Sequence, residues 1–132
     1  MEVKVYNTKI VNAIYVREEK LVQLRWMKEA NTDEYRLLFQ ALVDFAQKNK
    51  VRFIISDMRR QGLVTAEDVK WLEEEIFKEA IVLGIEKIAL INDDTIFSNV
   101  YAETIKRKLL NSPIRVQLFG DLTSAKAWLT TE

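Results

Sequence analysis

The first quarter of the chain shows an alternation of apolar and polar positions that is typical of half-buried β-strands. Residues 10–16 and 21–27 are rich in β-branched and aromatic side chains and flank the polar turn REEK. In the second run, Val22, Leu24 and Trp26 fall on one side of an extended chain. The two runs therefore predict an antiparallel hairpin. A further short strand, through Val3 and Val5, is expected within the first ten residues.

From residue 32 onward the apolar positions take helical spacing, and continuous apolar runs separate the helices. Helices are expected to begin at Thr32, at Thr65, near residue 95 and at Gly120–Asp121. The runs VRFIIS (51–56), KIALIN (87–92) and IRVQLF (114–119) have the composition of strands buried on both faces. The helical residues expected to face the core are Tyr35, Leu38, Phe39, Leu42, Phe45 and Ala46; Val69, Leu72, Ile76, Ala80 and Leu83; Phe97, Val100, Tyr101, Ile105 and Leu109; and Leu122, Ala125, Trp128 and Leu129.

This order of elements, ββαβαβαβα, predicts a single α/β domain over residues 1–132. The sheet is expected to be mostly parallel, with the antiparallel hairpin at its N-terminal side and helices packed on it. Hydrophobic residues make up 48% and charged residues 30% of the chain, which is ordinary for a globular protein.

The charge and residue inventory excludes several classes of function. Twenty basic residues balance twenty acidic ones, so we expect no nucleic-acid partner. The chain has no cysteine and no histidine, which excludes thiol chemistry, Ser-His catalysis and histidine metal sites. We expect no metal and no cofactor. No apolar run reaches the ~18 residues that span a bilayer, and the N-terminus does not resemble a signal peptide, so a cytoplasmic protein is expected.

The stretch SDMRRQGLVTAED (56–68) is the first candidate site, because ligands gather at the carboxyl ends of parallel strands. Asp57 and Arg59 lie there, either to shape a binding rim or simply to tie the loop, and the structural role is favoured. Asp93 and Asp94 follow the next strand, and with Asp57 they suggest the Mg²⁺ site of a receiver domain. The hairpin at the start of the chain argues strongly against that class.

Trp71 is the second candidate. On a helical wheel it points about 160° away from Val69, on the same side as Glu67 and Glu74. A tryptophan on a polar helix face is either an interface anchor or a side chain that another segment covers, and the two readings are evenly balanced.

The residues resemble the SpoIIAA-like branch of the STAS superfamily, the domains of sulphate transporters and anti-sigma factor antagonists. The resemblance spans nearly the whole chain. It rests on the hairpin ending LRWM, on DEY in the first helix, on IISDMR, on TAEDVKWLEEEIFKEAIVLGIEKIALI, and on LFGDLTSAKAWL with its A-x-x-W-L ending. It implies a STAS fold, related to that of the lipid-carrying CRAL-TRIO (Sec14-like) domains, and a non-enzymatic regulatory role through protein contacts.

One departure from the family pattern concerns phosphorylation. Signalling members of the branch carry an Asp-Ser or Ser-Ser-Gly turn before the second helix, and that serine is phosphorylated by a partner kinase. This chain has GLVTAED there, so only Thr65 occupies a comparable place and the switch is not implied. Thr65 is most simply an N-cap, with a phosphoacceptor role as the alternative.

The leading hypothesis is therefore a regulatory interaction domain that presents its second helix and the preceding loop to a protein partner or to a second copy of the chain. The expected contact residues are Trp71, Asp57, Arg59, Glu67 and Glu74. The rival is a protein that binds a lipid or small apolar molecule, motivated by the Sec14-like relation. Its pocket is expected between the third helix and the sheet, lined by Phe97, Val100 and Tyr101. An enzyme ranks third.

Overall fold

Six strands form one mixed sheet in the order β1-β2-β3-β4-β5-β6, so each strand pairs with its neighbours in sequence. The computed structural model describes residues 1–131. The first two pairings are antiparallel and the remaining three are parallel. The strands are β1 (Glu2–Asn7), β2 (Val11–Val16), β3 (Leu21–Trp26), β4 (Phe53–Asp57), β5 (Lys87–Ile91) and β6 (Arg115–Phe119). The predicted α/β sheet is confirmed, and the short strand expected through Val3 and Val5 is β1.

The helices follow the parallel strands as predicted. Four side chains cap helix N-termini, each by accepting a hydrogen bond from a backbone amide of the first turn: Asn31, Thr65, Thr95 and Asp121. The helices are α1 (Thr32–Lys48), α2 (Ala66–Trp71), a π-helical segment (Leu72–Phe77), α3 (Lys78–Val82), α4 (Ile96–Lys108) and α5 (Leu122–Leu129). Of these, α2, the π-helical segment and α3 follow one another without a break, so we call them together helix 66–82. Gly84 ends this helix with φ at 88°, in the left-handed region that glycine adopts readily.

The main core lies between one face of the sheet and the three helices that pack on it: α1, helix 66–82 and α4. Strictly sequential strand order with right-handed crossovers places all three connections on the same side. A smaller core on the opposite face joins α5 to β4 and β5. The ammonium of Lys87, buried in β5, donates to the carbonyl oxygens of Trp128 (2.9 Å) and Thr131 (2.6 Å), which fixes the end of α5.

The π-helical segment changes the buried face of helix 66–82. Val69 and Leu72 are buried as predicted, whereas Ile76 is only half-buried and its neighbour Phe77 takes the core position. A π turn holds about one residue more than an α turn, so the apolar face advances by one position. This shift cannot be read from α-helical spacing.

Two other expectations about inward-facing residues are wrong. Phe97 and Val100 of α4 are 66% and 61% exposed, and Leu122 of α5 is also exposed. The wheel explains α4: at 100° per residue Tyr101, Ile105 and Leu109 lie on one side, while Phe97 and Val100 lie outside that arc. Among residues 1–131, no helix has the length and apolarity needed to cross a membrane.

Candidate functional site

Helix 66–82 and α1 are joined by a polar cluster around Asp68. The buried Asp68 carboxylate accepts hydrogen bonds from the Thr32 hydroxyl (3.1 Å) and from Arg36 Nε (3.3 Å). The same guanidinium lies over the Trp71 ring, 5.2 Å from its centroid. Trp71 is half-buried, since its ring packs against the main core and the Arg36 guanidinium lies over it. The covering element is thus α1.

The predicted interaction residues fall into two groups that do not meet. Trp71 shares one shallow surface with the exposed Glu67 and Glu74. Asp57 and Arg59 lie at the end of β4. Asp57 is two residues after Ile55, so its side chain points to the same face of the sheet, the one that carries α5. The structure therefore does not place the five residues on one continuous surface.

Asp57 and Arg59 tie the loop after β4. Arg59 Nε and Nη2 donate to the two carboxylate oxygens at 2.9 and 2.6 Å, and the Arg59 amide donates to Oδ1 at 3.2 Å. Burial acts to raise the pKa of the Asp57 carboxyl, but the hydrogen bonds and charge of Arg59 outweigh it and lower that pKa below its ordinary value. These contacts hold the loop after β4 in place, as the structural role of Asp57 and Arg59 requires.

Thr65 is exposed and acts as the N-cap of α2. Its hydroxyl accepts the Asp68 amide at 3.1 Å, as the capping role predicts. A phosphoacceptor role for Thr65 stays a prediction.

An open apolar groove runs between α4 and the chain that leads into α2. We call it the α4 groove and define it by Leu63, Val64, Ile96, Phe97 and Val100. Its volume is about 470 Å³. Leu63 and Ile96 are 52% and 78% exposed, so with Phe97 and Val100 they present four large apolar side chains to solvent. Adjacent exposed side chains of this kind mark an interaction site more often than scattered single ones do.

Cations border the α4 groove at the α2 and C-terminal α4 side. Lys70 and Arg107 are exposed and line it, and Lys108 lines it while pairing with Glu73 at 2.9 Å. An apolar floor with a basic border favours a ligand that is itself apolar with acidic flanks.

Tyr35 and Tyr101 meet beneath helix 66–82. Their hydroxyls are 2.8 Å apart, so α1 and α4 are hydrogen-bonded to each other. Burial raises the pKa of Tyr101 to about 12 and raises the pKa of Tyr35 well above its usual range. Both phenols therefore stay neutral and serve as packing and hydrogen-bonding groups.

A second cavity opens at the carboxyl ends of β4 and β5, and we call it the strand-end cavity. It measures about 420 Å³, and its walls come from the loop 58–63, from Glu29 and from the first turns of α4. Gln61 is only 3% exposed, and among residues 1–131 neither atom of its side-chain amide has a hydrogen-bond partner. The Tyr101 hydroxyl lies nearby without forming a hydrogen bond of normal geometry. An unpaired buried amide costs roughly 1–3 kcal/mol.

A third cavity lies in the main core and differs from the predicted ligand pocket. It measures about 90 Å³ and is lined almost wholly by apolar side chains, including Leu42, Leu72, Phe77 and Ile105. The three residues predicted for a pocket between the third helix and the sheet, Phe97, Val100 and Tyr101, all line the α4 groove, and Tyr101 also lines the core cavity.

The acids after β5 hold the loop into α4. Asp93 Oδ1 accepts the Thr95 amide at 3.2 Å, and Asp94 Oδ1 accepts the Asn99 side-chain amide at 3.0 Å. Thr95 caps α4. Within residues 1–131, no three acidic side chains come together as metal ligands would.

Sequence reasoning missed Leu63, Ile96 and Gln61. A signal for Ile96 exists, because apolar residues at 96, 97 and 100 follow a different arc of the wheel from 101, 105 and 109. An apolar band that covers two arcs predicts two contact surfaces. Gln61 gives no such signal, since its burial depends on how the loop after β4 folds back.

Comparisons with known proteins agree with this fold. A family model described as SpoIIAA-like matches residues 21–130. Among solved structures, the chain is similar to an uncharacterized protein of the DUF3478 family with a SpoIIAA-like fold from Shewanella loihica PV-4. The TM-score is 0.61 and the identity 13%, over 94% of this chain and 97% of that chain. At that identity the likeness shows the fold alone. No curated protein matches the chain.

Proposed function

Because this chain belongs to the SpoIIAA-like family, we propose that it is a non-enzymatic regulatory domain that binds a partner protein through the α4 groove. The observation that carries the proposal is the exposure of Leu63, Ile96, Phe97 and Val100 side by side. Leaving four large apolar side chains in water is unfavourable, and a partner that covers them recovers the hydrophobic free energy.

The chemistry of the border defines the partner. Lys70 and Arg107 favour a segment with carboxylates beside its apolar residues. A groove between a helix and a loop suits an amphipathic helix, whose apolar face enters the groove while its acidic flanks meet the cations. The surface around Trp71, with Glu67 and Glu74, is a weaker candidate because Arg36 covers part of the indole. Asp57 and Arg59 form an ion pair with each other, so they would contribute only polar groups at the rim of a partner contact.

The test compares groove and control variants against one purified partner. Candidate partners are first captured from the source cells, and the affinity of each is then measured by calorimetry with the wild type, Ile96→Ser/Val100→Ser and Val82→Ser. Val82 is as exposed as the groove residues but lies at the far end of helix 66–82. We expect the double variant to bind at least about tenfold more weakly, and Val82→Ser to bind like the wild type.

Two outcomes would overturn the proposal. One is equal affinity for all three proteins. The other is a groove that binds anionic lipid vesicles in co-sedimentation while no purified protein depends on it. Native mass spectrometry reports whether the partner is a second copy of this chain.

Thr65 remains a proposed phosphoacceptor that would regulate this contact. It follows Val64 of the groove directly and begins α2, where a phosphate is favourably placed. Added negative charge beside the groove would repel an acidic partner. We expect Thr65→Glu to weaken the partner affinity and Thr65→Ser to leave it unchanged in calorimetry; equal affinities would exclude the switch.

The core cavity favours a second candidate function, the binding of a small apolar molecule. At about 90 Å³ it admits only a few heavy atoms, so a lipid chain would require helix 66–82 to move away from the sheet. The test is native mass spectrometry of gently purified protein, with the melting temperature measured before and after delipidation. No co-purifying mass and an unchanged melting temperature would eliminate this candidate.

A further inference from the structure

The strand-end cavity contains polar groups that the fold does not use. Gln61 lines it from the loop after β4, and Ser98 lines it from the first turns of α4. Among residues 1–131, the amide atoms of Gln61 and the hydroxyl of Ser98 are buried without hydrogen-bond partners. Two unpaired groups on different walls of one cavity indicate that something other than the chain completes their hydrogen bonds.

One cation in the walls of this cavity is available to pair with an anion. Arg60 lines it, and among the described residues its guanidinium takes part in no ion pair or hydrogen bond. Two acids in the walls keep their negative charge but are each held by a backbone amide: Glu29 accepts the Leu63 amide at 2.9 Å, and Asp93 accepts the Thr95 amide at 3.2 Å. Arg59 is held by Asp57. Arg60 is therefore the charged wall residue that, among residues 1–131, has neither an ion pair nor a side-chain hydrogen bond.

The N-terminus of α4 is a second group that attracts an anion. Thr95, Phe97 and Ser98 all line the cavity, so the first turn of this 13-residue helix borders it. Amides of the first turn lack acceptors within the helix, and the helix dipole makes this end attractive to anions. Phe97 and Leu63 add apolar surface to the same walls.

We propose that the strand-end cavity binds a small organic anion, whose carboxylate or phosphate group lies between Arg60, the Gln61 amide and the first turn of α4. The apolar part of the ligand packs on Phe97 and Leu63. A volume of about 420 Å³ is within the range of small-molecule sites, and the carboxyl ends of parallel strands are where such sites form. The ligand would share Phe97 and Leu63 with the partner proposed for the α4 groove, whereas Arg60 and Gln61 line this cavity and not the groove.

The test is a titration of ¹⁵N-labelled full-length chain, followed by NMR at constant ionic strength. The probes are sodium benzoate, inorganic phosphate and benzyl alcohol, which separate the anion from the apolar part. We expect saturable shifts for the amides of residues 60–62 and 96–98 with both anions, tighter for benzoate, and none with benzyl alcohol. Absence of saturation with both anions, or equal shifts with benzyl alcohol, would overturn the proposal.

Variants identify the contacts. Arg60→Ala should weaken benzoate binding about tenfold, while Arg17→Ala, which removes an exposed arginine at the opposite end of the parallel strands, should not change it. Gln61→Leu should weaken binding and leave the melting temperature equal or higher, because it removes an unpaired buried amide. A lower melting temperature with unchanged binding would make Gln61 a packing residue and refute its role. Failure of these tests leaves the α4 groove untouched, since neither Arg60 nor Gln61 belongs to it.

Discussion

The two sides of helix 66–82 show opposite solutions for apolar surface. Toward α1, the helix is sealed: Asp68 is buried with Arg36 and Thr32, and Arg36 also covers Trp71. Toward α4, the α4 groove stays open, with its apolar side chains in contact with solvent. Helix 66–82 therefore makes a closed side-chain contact with α1 and borders an open groove on its α4 side.

This difference shows which aromatic side chains are available to a partner. A long arginine can cover an exposed indole with its stem and guanidinium, so a tryptophan on a polar helix face need not be available to a partner. Phe97 has no such cover: its side chain is 66% exposed, and among residues 1–131 no cation lies over its ring.

The largest effect is expected at the sealed side. Asp68→Ala should lower the free energy of unfolding by about 2–3 kcal/mol, because Arg36 and Thr32 lose a buried acceptor. Urea denaturation measures the change, and Glu67→Ala, the exposed neighbour, should stay within about 0.5 kcal/mol of the wild type. Equal losses in both variants would show that the cluster does not seal this side.

Trp71→Ala should lower the free energy of unfolding by about 2 kcal/mol, since a half-buried indole and its contact with Arg36 are lost. Trp71→Phe keeps most of the packing and serves as the control, and both are measured in urea. A stable Trp71→Ala protein with weakened partner affinity would restore the reading of Trp71 as an exposed anchor.

Tyr101→Phe tests the bond that joins the two sides. At neutral pH it should cost about 1 kcal/mol of unfolding free energy, the value of one hydrogen bond. The raised pKa of Tyr101 means that the folded state favours the neutral phenol. This contribution is complete below the ordinary pKa of 10.0 and is lost as the pH rises through about 12.

Urea unfolding at pH 8 and at pH 11 measures this dependence. Tyr101→Phe should lose less stability between the two pH values than the wild type does. Identical losses would mean that Tyr101 does not control the alkaline transition.

The smallest effect is expected at the open side. Val100→Ala should leave the free energy of unfolding within about 0.5 kcal/mol of the wild type or raise it slightly, because alanine is the better helix former at an exposed site. Ile105→Ala, at a buried position of the same helix, should cost about 3 kcal/mol. A large loss from Val100→Ala in urea denaturation would show that the groove is part of the core.

The sequence predicts the elements of this fold better than their faces. Alternation at Val22, Leu24 and Trp26 and the caps Thr65 and Asp121 are local signals, so the hairpin and the helix starts follow from them. The π-helical segment is different, because neighbouring packing decides where a helix widens. This is why Phe77 was not expected in the core.

The candidate sites were harder to predict for the same reason. Trp71 carries a recognisable pattern, but the residue that covers it comes from another helix 35 positions earlier. Gln61 is polar and lies in a loop, so nothing in the local sequence indicates that it is buried. Contacts between distant segments decide which polar and apolar residues remain unpaired.

The strictly sequential strand order has a consequence for how the chain reaches its fold. Every strand pairs with the one that precedes it, so no strand has to insert between two others that have already joined. Loops between partners stay as short as a six-stranded sheet with crossover helices permits, which limits the entropy of loop closure. The sheet can therefore grow from its N-terminal hairpin while the chain is being synthesised, each strand and helix docking onto a finished edge.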